Sequence, residues 1–491
     1  MGSDWIDCEL GDLIELKRGY DLPKTKRVNG GVPVVSSSGS SGEHNEIKVK
    51  APGVVTGRYG TIGEVFYIED DFWPLNTTLY VKDFKGNDPL YVYYFLKTIR
   101  YSDYTDKGAV PGINRNHIHR AKVKVPVDPL HQRNLALKLF DLDKKIQLNK
   151  QTNQTLEKMA QALFKSWFVD FDPVFDNLLA SADFKLENLE TSLPDELIQK
   201  AQRRLTALNS LHNATQCKAS LSALAHELQA QLPTKEATQA AEKGTETPVK
   251  ANFNANPTIL AQHANTHAHF PNEFEHNEQL GWIPKGWSVS NVEGISAKVF
   301  SGGTPNTRTS EYWNGELHWF SSGETRSNLV LDTEKRITEE GVKNSSTKLS
   351  IPGDILIAGA GQGHTRGQTS LNRIHTYFNQ SVVCIRVKDV KLSNWLFENL
   401  HSRYEEMRAL SDSHSVRGSL TTKIVARMQV LLPCDNLIDI FNKNAKAYSI
   451  RQEKLLSEIS VLTKLRDTLL PKLISGELQI PDVATNDETV D

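Results

Sequence analysis

Two stretches of the chain carry the same hydrophobic heptad. Between 131 and 168, a mainly apolar seam recurs at alternating four- and three-residue steps through Leu135, Leu139, Leu142, Ile146, Asn149, Asn153, Leu156, Ala160, Leu163 and Trp167. Adding 306 to each position gives a second stripe between 437 and 474: Phe441, Ala445, Tyr448, Gln452, Leu455, Ile459, Leu462, Arg466, Leu469 and Leu473. A 3.5-residue repeat keeps one face of a helix turned to a partner, so each stretch is predicted to be a long α-helix of about 57 Å. Each copy supplies the other's partner if the two pack antiparallel, with the polar positions Asn149, Asn153, Gln452 and Arg466 fixing the register. In the simpler alternative each helix only caps the module before it.

Ahead of each helix the period changes from helical to two. From Trp5 to Val127, short β-rich runs (GVPVVSSS, PGVVTGRYG, GEVFYI, TTLYVK, KVKVPV) alternate with Gly, Pro, Asn and Asp turns, with one helix near Tyr91 to Arg100. The order returns between Gly286 and Pro433 as LHWFSSG, PGDILIAG and QSVVCIRVK, a helical stretch around Trp395 to Leu410, and ARMQVLLP. Trp5 falls on Trp287, Pro52 and Gly53 on Pro352 and Gly353, Val110 and Gly112 on Val416 and Gly418, and Ile118 on Ile424. The offset grows from 282 through 300 to 306, as insertions in loops would produce.

The expected fold class is α+β: two mixed, mainly β domains separated by two long antiparallel coiled-coil helices in a pseudo-twofold circular arrangement. The expected domains are an N-terminal module (1–128), a first helix (129–175), an insertion (176–280), a C-terminal module (281–433), a second helix (434–476) and an acidic tail (477–491). Within the insertion, 194–232 reads as surface helix and 233–272, rich in Ala, Thr, Asn, Gln and His, as flexible linker.

Charge sharpens this picture slightly. The insertion and the tail each carry five more acidic than basic residues, so the net −2 of the chain becomes +8 on the repeated parts, compatible with nucleic acid. Cys8, Cys217, Cys384 and Cys434 are too scattered for a zinc pair and too few for a disulfide framework, and four reduced thiols with no structural metal are expected. His263, His267 and His269 lack Cys or carboxylate companions at supporting spacing and read as polar linker residues. No apolar run reaches membrane-spanning length and the first residues are acidic where a signal peptide needs a basic and then an apolar stretch, which points to a cytoplasmic protein without a membrane partner.

The segments WFVDFDP (Trp167 to Pro173), GWIPKGW (Gly281 to Trp287) and LLPKLISGEL (Leu469 to Leu478), set in the order module, long helix, module, long helix, resemble the specificity subunit of type I restriction-modification enzymes. The resemblance covers everything except the insertion and the tail. It implies two target recognition domains reading an asymmetric bipartite site on double-stranded DNA. It also implies helices that dock two methyltransferase subunits and, through them, restriction and translocase subunits. S-adenosylmethionine, ATP and Mg would serve those partners, and no cofactor is expected in this chain. Two features depart from the pattern: the connection between first helix and second module is longer, and the second helix lacks the Gln that Gln132 supplies in the first.

Gly-rich turns let backbone approach phosphate, and an Arg or Gln beside them can pair with guanine or adenine. This selects Arg58 and Tyr59 in TGRYGTIG, Asn114 and Arg115 in PGINRNH, Gln362, His364 and Arg366 in GAGQGHTRG, and Arg417 in SVRGSL, with Lys17, Arg18, Lys24, Lys26 and Arg27 as phosphate contacts. Leu135, Leu139, Leu142, Ile146, Leu156, Leu163, Trp167, Leu455, Ile459, Leu462, Leu469 and Leu473 form the helix seam and partner-docking set. Catalysis is not expected. The chain has no Pro-Pro dipeptide for the family's adenine-methylating motif, no GxxxxGK[ST] loop and no nucleophile elbow. GAGQG is followed by HTRGQTSLNR, a poor helix, and so does not make a cofactor turn. The competing readings are a stand-alone DNA methyltransferase or nuclease, and a coiled-coil scaffold without sequence specificity.

Overall fold

A computed structural model describes residues 5–105, 111–190, 193–230, 258–361, 364–414 and 418–478. Contacts divide the chain into one unit of residues 1–151 and 457–491 and another of residues 152–456. Each heptad stretch is a single helix of 40 residues, Pro129–Phe168 and Asp435–Ile474. The first starts on Pro129, where no backbone N–H is needed, and Asp128 caps it by accepting from the N–H groups of Leu130 (3.0 Å) and His131 (3.2 Å).

In the first unit the strands Trp5–Glu9 and Lys122–Pro126 pair antiparallel and close the module at its two ends. A four-stranded sheet runs in the order Glu15–Arg18, Thr78–Asp83, Gly53–Gly57, Val65–Ile68, beside a three-stranded one of Gly39–His44, Val32–Ser36 and Trp73–Pro74. The helix Pro89–Thr98, capped by Asp88, buries Tyr91, Tyr94 and Leu96 in a core that also takes Leu135, Ala136 and Leu139 from the first long helix and Leu473 and Ile474 from the second. The end of the second helix thus lies along the start of the first. Arg466 sets this antiparallel register: its Nη1 is 2.8 Å from Asp143 Oδ1, while Tyr94 Oη donates to Oδ2 of the same carboxylate at 2.7 Å. Burial and that carboxylate hold the Tyr94 phenol well above its ordinary range.

The second unit repeats the plan. Ser288–Asn291 pairs with Gln429–Leu432 at the ends of the module. A five-stranded sheet has the order Ser296–Ser301, Val382–Val387, Ile355–Ala358, Thr369–Asn372, Leu329–Val330, and a four-stranded one the order Lys335–Ile337, Trp313–Phe320, Thr376–Phe378, Lys348–Ser350. The helical stretch expected around Trp395 is two helices, Leu392–His401 and Tyr404–His414. The end of the first long helix meets the start of the second through Phe164, Trp167 and Phe168 packed on Phe441, with ring centroids 5.3–6.2 Å apart.

One anchor of the repeat moves by a residue. Ile118 is fully buried and its counterpart is Val425, also fully buried, rather than the half-buried Ile424; likewise Asn114 and Thr421 cap the equivalent short helices. The offset there is 307, because the extra residue in the preceding loop is given back before the second helix. Val110 and Val416 lie outside the described residues.

The missing glutamine also has a reason. Gln132 is fully buried, accepts from Asp88 N–H at 2.9 Å and donates to Asn87 Oδ1 (2.7 Å) and Pro126 O (2.8 Å), fastening module to helix. In the second unit buried Ile438 stands at this place, and the fastening passes to Lys391, whose Nζ is 3.1 Å from Asp439 and whose carbonyl accepts from Asn442 at 2.7 Å.

The insertion is more folded than its composition suggests. Asp172–Ser181, Asp195–Asn209 and Ala214–Ala230 are helices, and Phe175, Leu178, Leu179, Leu197, Ala201 and Leu208 form a small core. The expectation of a linker through 272 fails from residue 258 on: Ile259 and Ala264 pack on Leu224, and Phe270 is buried against Trp167 and Trp287. Three apolar anchors suffice to order a polar segment. His267 is not a free linker residue either, since its Nε2 lies 2.9 Å from Asp176, which also receives Arg204 at 2.7 and 2.8 Å. Burial raises the Asp176 pKa, but Arg204 and His267 outweigh it and hold the carboxyl below its usual range. Residues 231–257 and 479–491 lie outside the described residues.

Every seam position is buried or half-buried, including Leu142, Leu156, Ile459, Leu462 and Leu469.

Beneath the second module, Glu398 Oε2 is sealed from solvent without a hydrogen-bond partner, and burial beside Glu157 pushes its pKa up to about 8. A carboxyl raised in the folded state stabilises fully below its unfolded pKa of about 4.5, and that stability is lost as pH rises through about 8. Glu398→Gln is therefore expected to match the parent's Tm at pH 5 and to exceed it by a few degrees at pH 8.5 in calorimetric melts.

Candidate nucleic-acid interface

In the first module the fold brings both predicted loops together. Arg58 and Tyr59 donate their N–H groups to Thr77 O at 2.9 and 3.1 Å, and Ile113 N–H donates to Arg58 O at 3.1 Å. The Tyr59 ring lies on Gly112, where an added Cβ would sit 2.2 Å from it, and the Arg58 guanidinium stacks 4.4 Å over that ring. Gly57 permits the turn, because a Cβ there would meet Thr61 O at 1.9 Å. Asn114 is spent on its own helix, accepting from Asn116 N–H at 3.0 Å, whereas Arg115 is exposed.

The second module uses the same backbone device. Leu420 N–H donates to Gly359 O at 2.7 Å, as Ile113 does to Arg58. Arg366 is drawn into this junction, with Nη1 donating to Gly418 O at 3.0 Å and Nη2 paired with Asp412, and its side chain is only 11% exposed. It pins the two loops. His364 is exposed, and its carbonyl accepts from Tyr404 Oη at 2.7 Å. Gln362 and Arg417 lie outside the described residues.

The five basic phosphate candidates separate by partner. Arg18, Lys24 and Lys26 are exposed, Lys17 stands 5.5 Å over the Tyr20 ring, and Arg27 is turned inward to the carbonyl of Ser41. Sequence reasoning missed two pairings of cation and aromatic ring: Lys48 lies 4.6 Å over Trp73, and Lys335 faces Trp313 and Trp319 at 5.9 and 6.0 Å. Each lysine is distant in sequence from its ring, so no local motif announces the pair. Two histidines have their pKa lowered by burial: His119, whose Nε2 accepts from Leu16 N–H at 2.9 Å, and His318, which lies 3.3 Å from Arg336.

Among the described residues no group of three or more His, Cys, Asp or Glu side chains could hold a metal ion. What the site offers is paired loops with stacked and exposed cations, displayed twice by modules of common skeleton and different loop chemistry. That is the construction of a two-module nucleic-acid recognition protein. The family model described as type I restriction modification DNA specificity domain matches residues 2–158 and 284–438, and the chain belongs to that family as a specificity subunit. The chain is 25% identical over 381 residues, 76% of its length and 72% of the relative's, to the HindI specificity subunit of Haemophilus influenzae. It is 22% identical over 404 residues, 80% and 70% of the two lengths, to the MjaIX specificity subunit of Methanocaldococcus jannaschii. The crystal structure of a type I restriction-modification S subunit from M. genitalium shares the fold with a TM-score of 0.52 at 14% identity, over 96% of each chain.

The contact between Tyr59 and Gly112 yields a direct test. Gly112→Ala is expected to push Tyr59 out of place and speed amide hydrogen exchange at residues 57–61 and 112–115 at least tenfold, with little change in Tm.

Proposed function

We propose that the two modules read the two halves of an asymmetric duplex site, and that the helices fix the unread spacer between them. One observation carries this reading: the same inter-loop hydrogen bond, Ile113 to Arg58 and Leu420 to Gly359, presents unlike side chains in the two modules. A common frame with different contents suits a ligand whose halves differ. Arg58 and Arg115 in the first module and His364 in the second are the exposed or half-exposed candidates for base edges, and Arg18, Lys24 and Lys26 for phosphates.

Docking of methyltransferase partners falls to the outer helix faces. Met159 and Leu465 are repeat equivalents at an offset of 306, and each is 44% exposed. Two equivalent apolar positions outside the modules suit two copies of one partner, through which restriction subunits would join. The chain binds and its partners catalyse, with S-adenosylmethionine, ATP and Mg belonging to them. Among the described residues no helix is long and apolar enough to cross a membrane.

In the complex with its methyltransferase partner, the chain is expected to bind one bipartite duplex at least a hundredfold better than a duplex with either half scrambled, in fluorescence anisotropy at fixed salt. Sequence-indifferent binding would favour the scaffold reading, and methyl transfer by this chain alone would favour the enzyme. Adding one helical turn to both long helices is expected to change the spacer of the methylated motif and leave its half-sites intact.

A further inference from the structure

We propose that a recess in the second module is a phosphate site for the DNA backbone. The recess, about 400 Å³, lies between the strand Ser296–Ser301 and the short helix Thr422–Ala426, and Lys298, Lys423 and Arg427 all open on it beside Glu293. Among the described residues none of these three cations has a carboxylate partner. Several basic residues elsewhere on the module do have one: Arg386 holds Asp354 at 2.7 Å, Arg373 holds Glu453 at 2.8 Å, and Arg403 holds Glu406 at 2.6 Å. Lys298 rests 4.9 Å over the Phe300 ring, but three cations without a carboxylate partner beside the single carboxylate of Glu293 leave a positive charge that an anion would relieve.

The arrangement is costly without a ligand. Lys298 lies directly across the strand pair from Arg386, a like-charge repulsion softened by the Asp354 carboxylate that Arg386 holds at 2.7 Å. Lys423 and Arg427 are four residues apart on one face of a helical turn, which adds to the repulsion. The first module avoids this cost at the equivalent place. There Lys82, counterpart of Arg386, faces Glu15 at 2.9 Å, and Asn116 stands at the position of Lys423; only Arg120, matching Arg427, keeps its charge.

Location connects the recess to recognition. Thr421, which caps the helix carrying Lys423, directly follows Leu420, the residue bonded to the Gly359 turn. A phosphodiester gripped here would hold the backbone in position while the adjoining loops meet base edges, the usual division between positioning and specifying contacts. The chemistry recognised is a phosphate oxyanion, and the neighbouring loops favour a duplex backbone over a free phosphate as its source.

The assignment rests on the reading that this chain binds duplex DNA, and the test separates the two. In the methyltransferase complex, K298Q/K423Q/R427Q is expected to weaken specific and scrambled duplexes by the same factor. The slope of log Kobs against log salt should drop by about 2–3, with the preferred sequence unchanged. R427K, which keeps the charge, should retain the parent slope. An unchanged slope in the triple variant, with parent complex binding normally, overturns the site; so does a loss confined to one half-site, which would mark a base reader. Loss of calorimetric pyrophosphate binding with DNA binding intact would also overturn it, by assigning the recess to a free anion. A parent complex that ignores DNA would instead sink the proposed function itself.

Discussion

Each module of this protein depends on a surface it does not itself supply. The first covers its core with Leu135 and Leu139 from one long helix and Leu473 and Ile474 from the other, and the second with Phe164, Trp167 and Phe168 from one and Phe441 and Ala445 from the other. Removing an aromatic ring from such a core costs about 3–5 kcal/mol, comparable with the whole stability of a small domain. The helices are therefore part of each module's fold. Their antiparallel contact, set in the first unit by Arg466 on Asp143, decides which ends of the two helices meet.

That dependence explains what could be read from the chain alone. The heptads were legible because a helix buried along one stripe must repeat its apolar residues, and every seam position does turn inward. The strand runs and the duplicated order were legible for the same reason, with Trp5 and Trp287 at matching places beside paired terminal strands. What faces the seam was not: a stripe records that something covers it, and the same leucines would suit a foreign partner. Residues 258–270 misled in the opposite direction, since their polar composition hides the few side chains that anchor them.

The candidate interface was legible at the level of loops and much less so at single residues. Glycines marked the turns correctly because close backbone approach is a local requirement, as at Gly57 and Gly112. Whether an arginine is free or consumed depends on partners remote in sequence. Arg366 meets Gly418 and Asp412, and Arg27 meets Ser41, so both serve the loops that were to have presented them. Lys298, Lys423 and Arg427 come from two distant segments and carry no motif at all.

The pairing of each module's first strand with its last has a further consequence. Trp5–Glu9 lies against Lys122–Pro126, and Ser288–Asn291 against Gln429–Leu432, so chain entry and exit stand one strand spacing, about 5 Å, apart. Everything between is a closed excursion from a fixed doorway. A different excursion of any length could be spliced in at that doorway without disturbing either helix, provided it returned the same apolar patch to them. Specificity in such a chain can change by exchanging a whole module, a path that demands far fewer simultaneous substitutions than rewriting its loops one residue at a time.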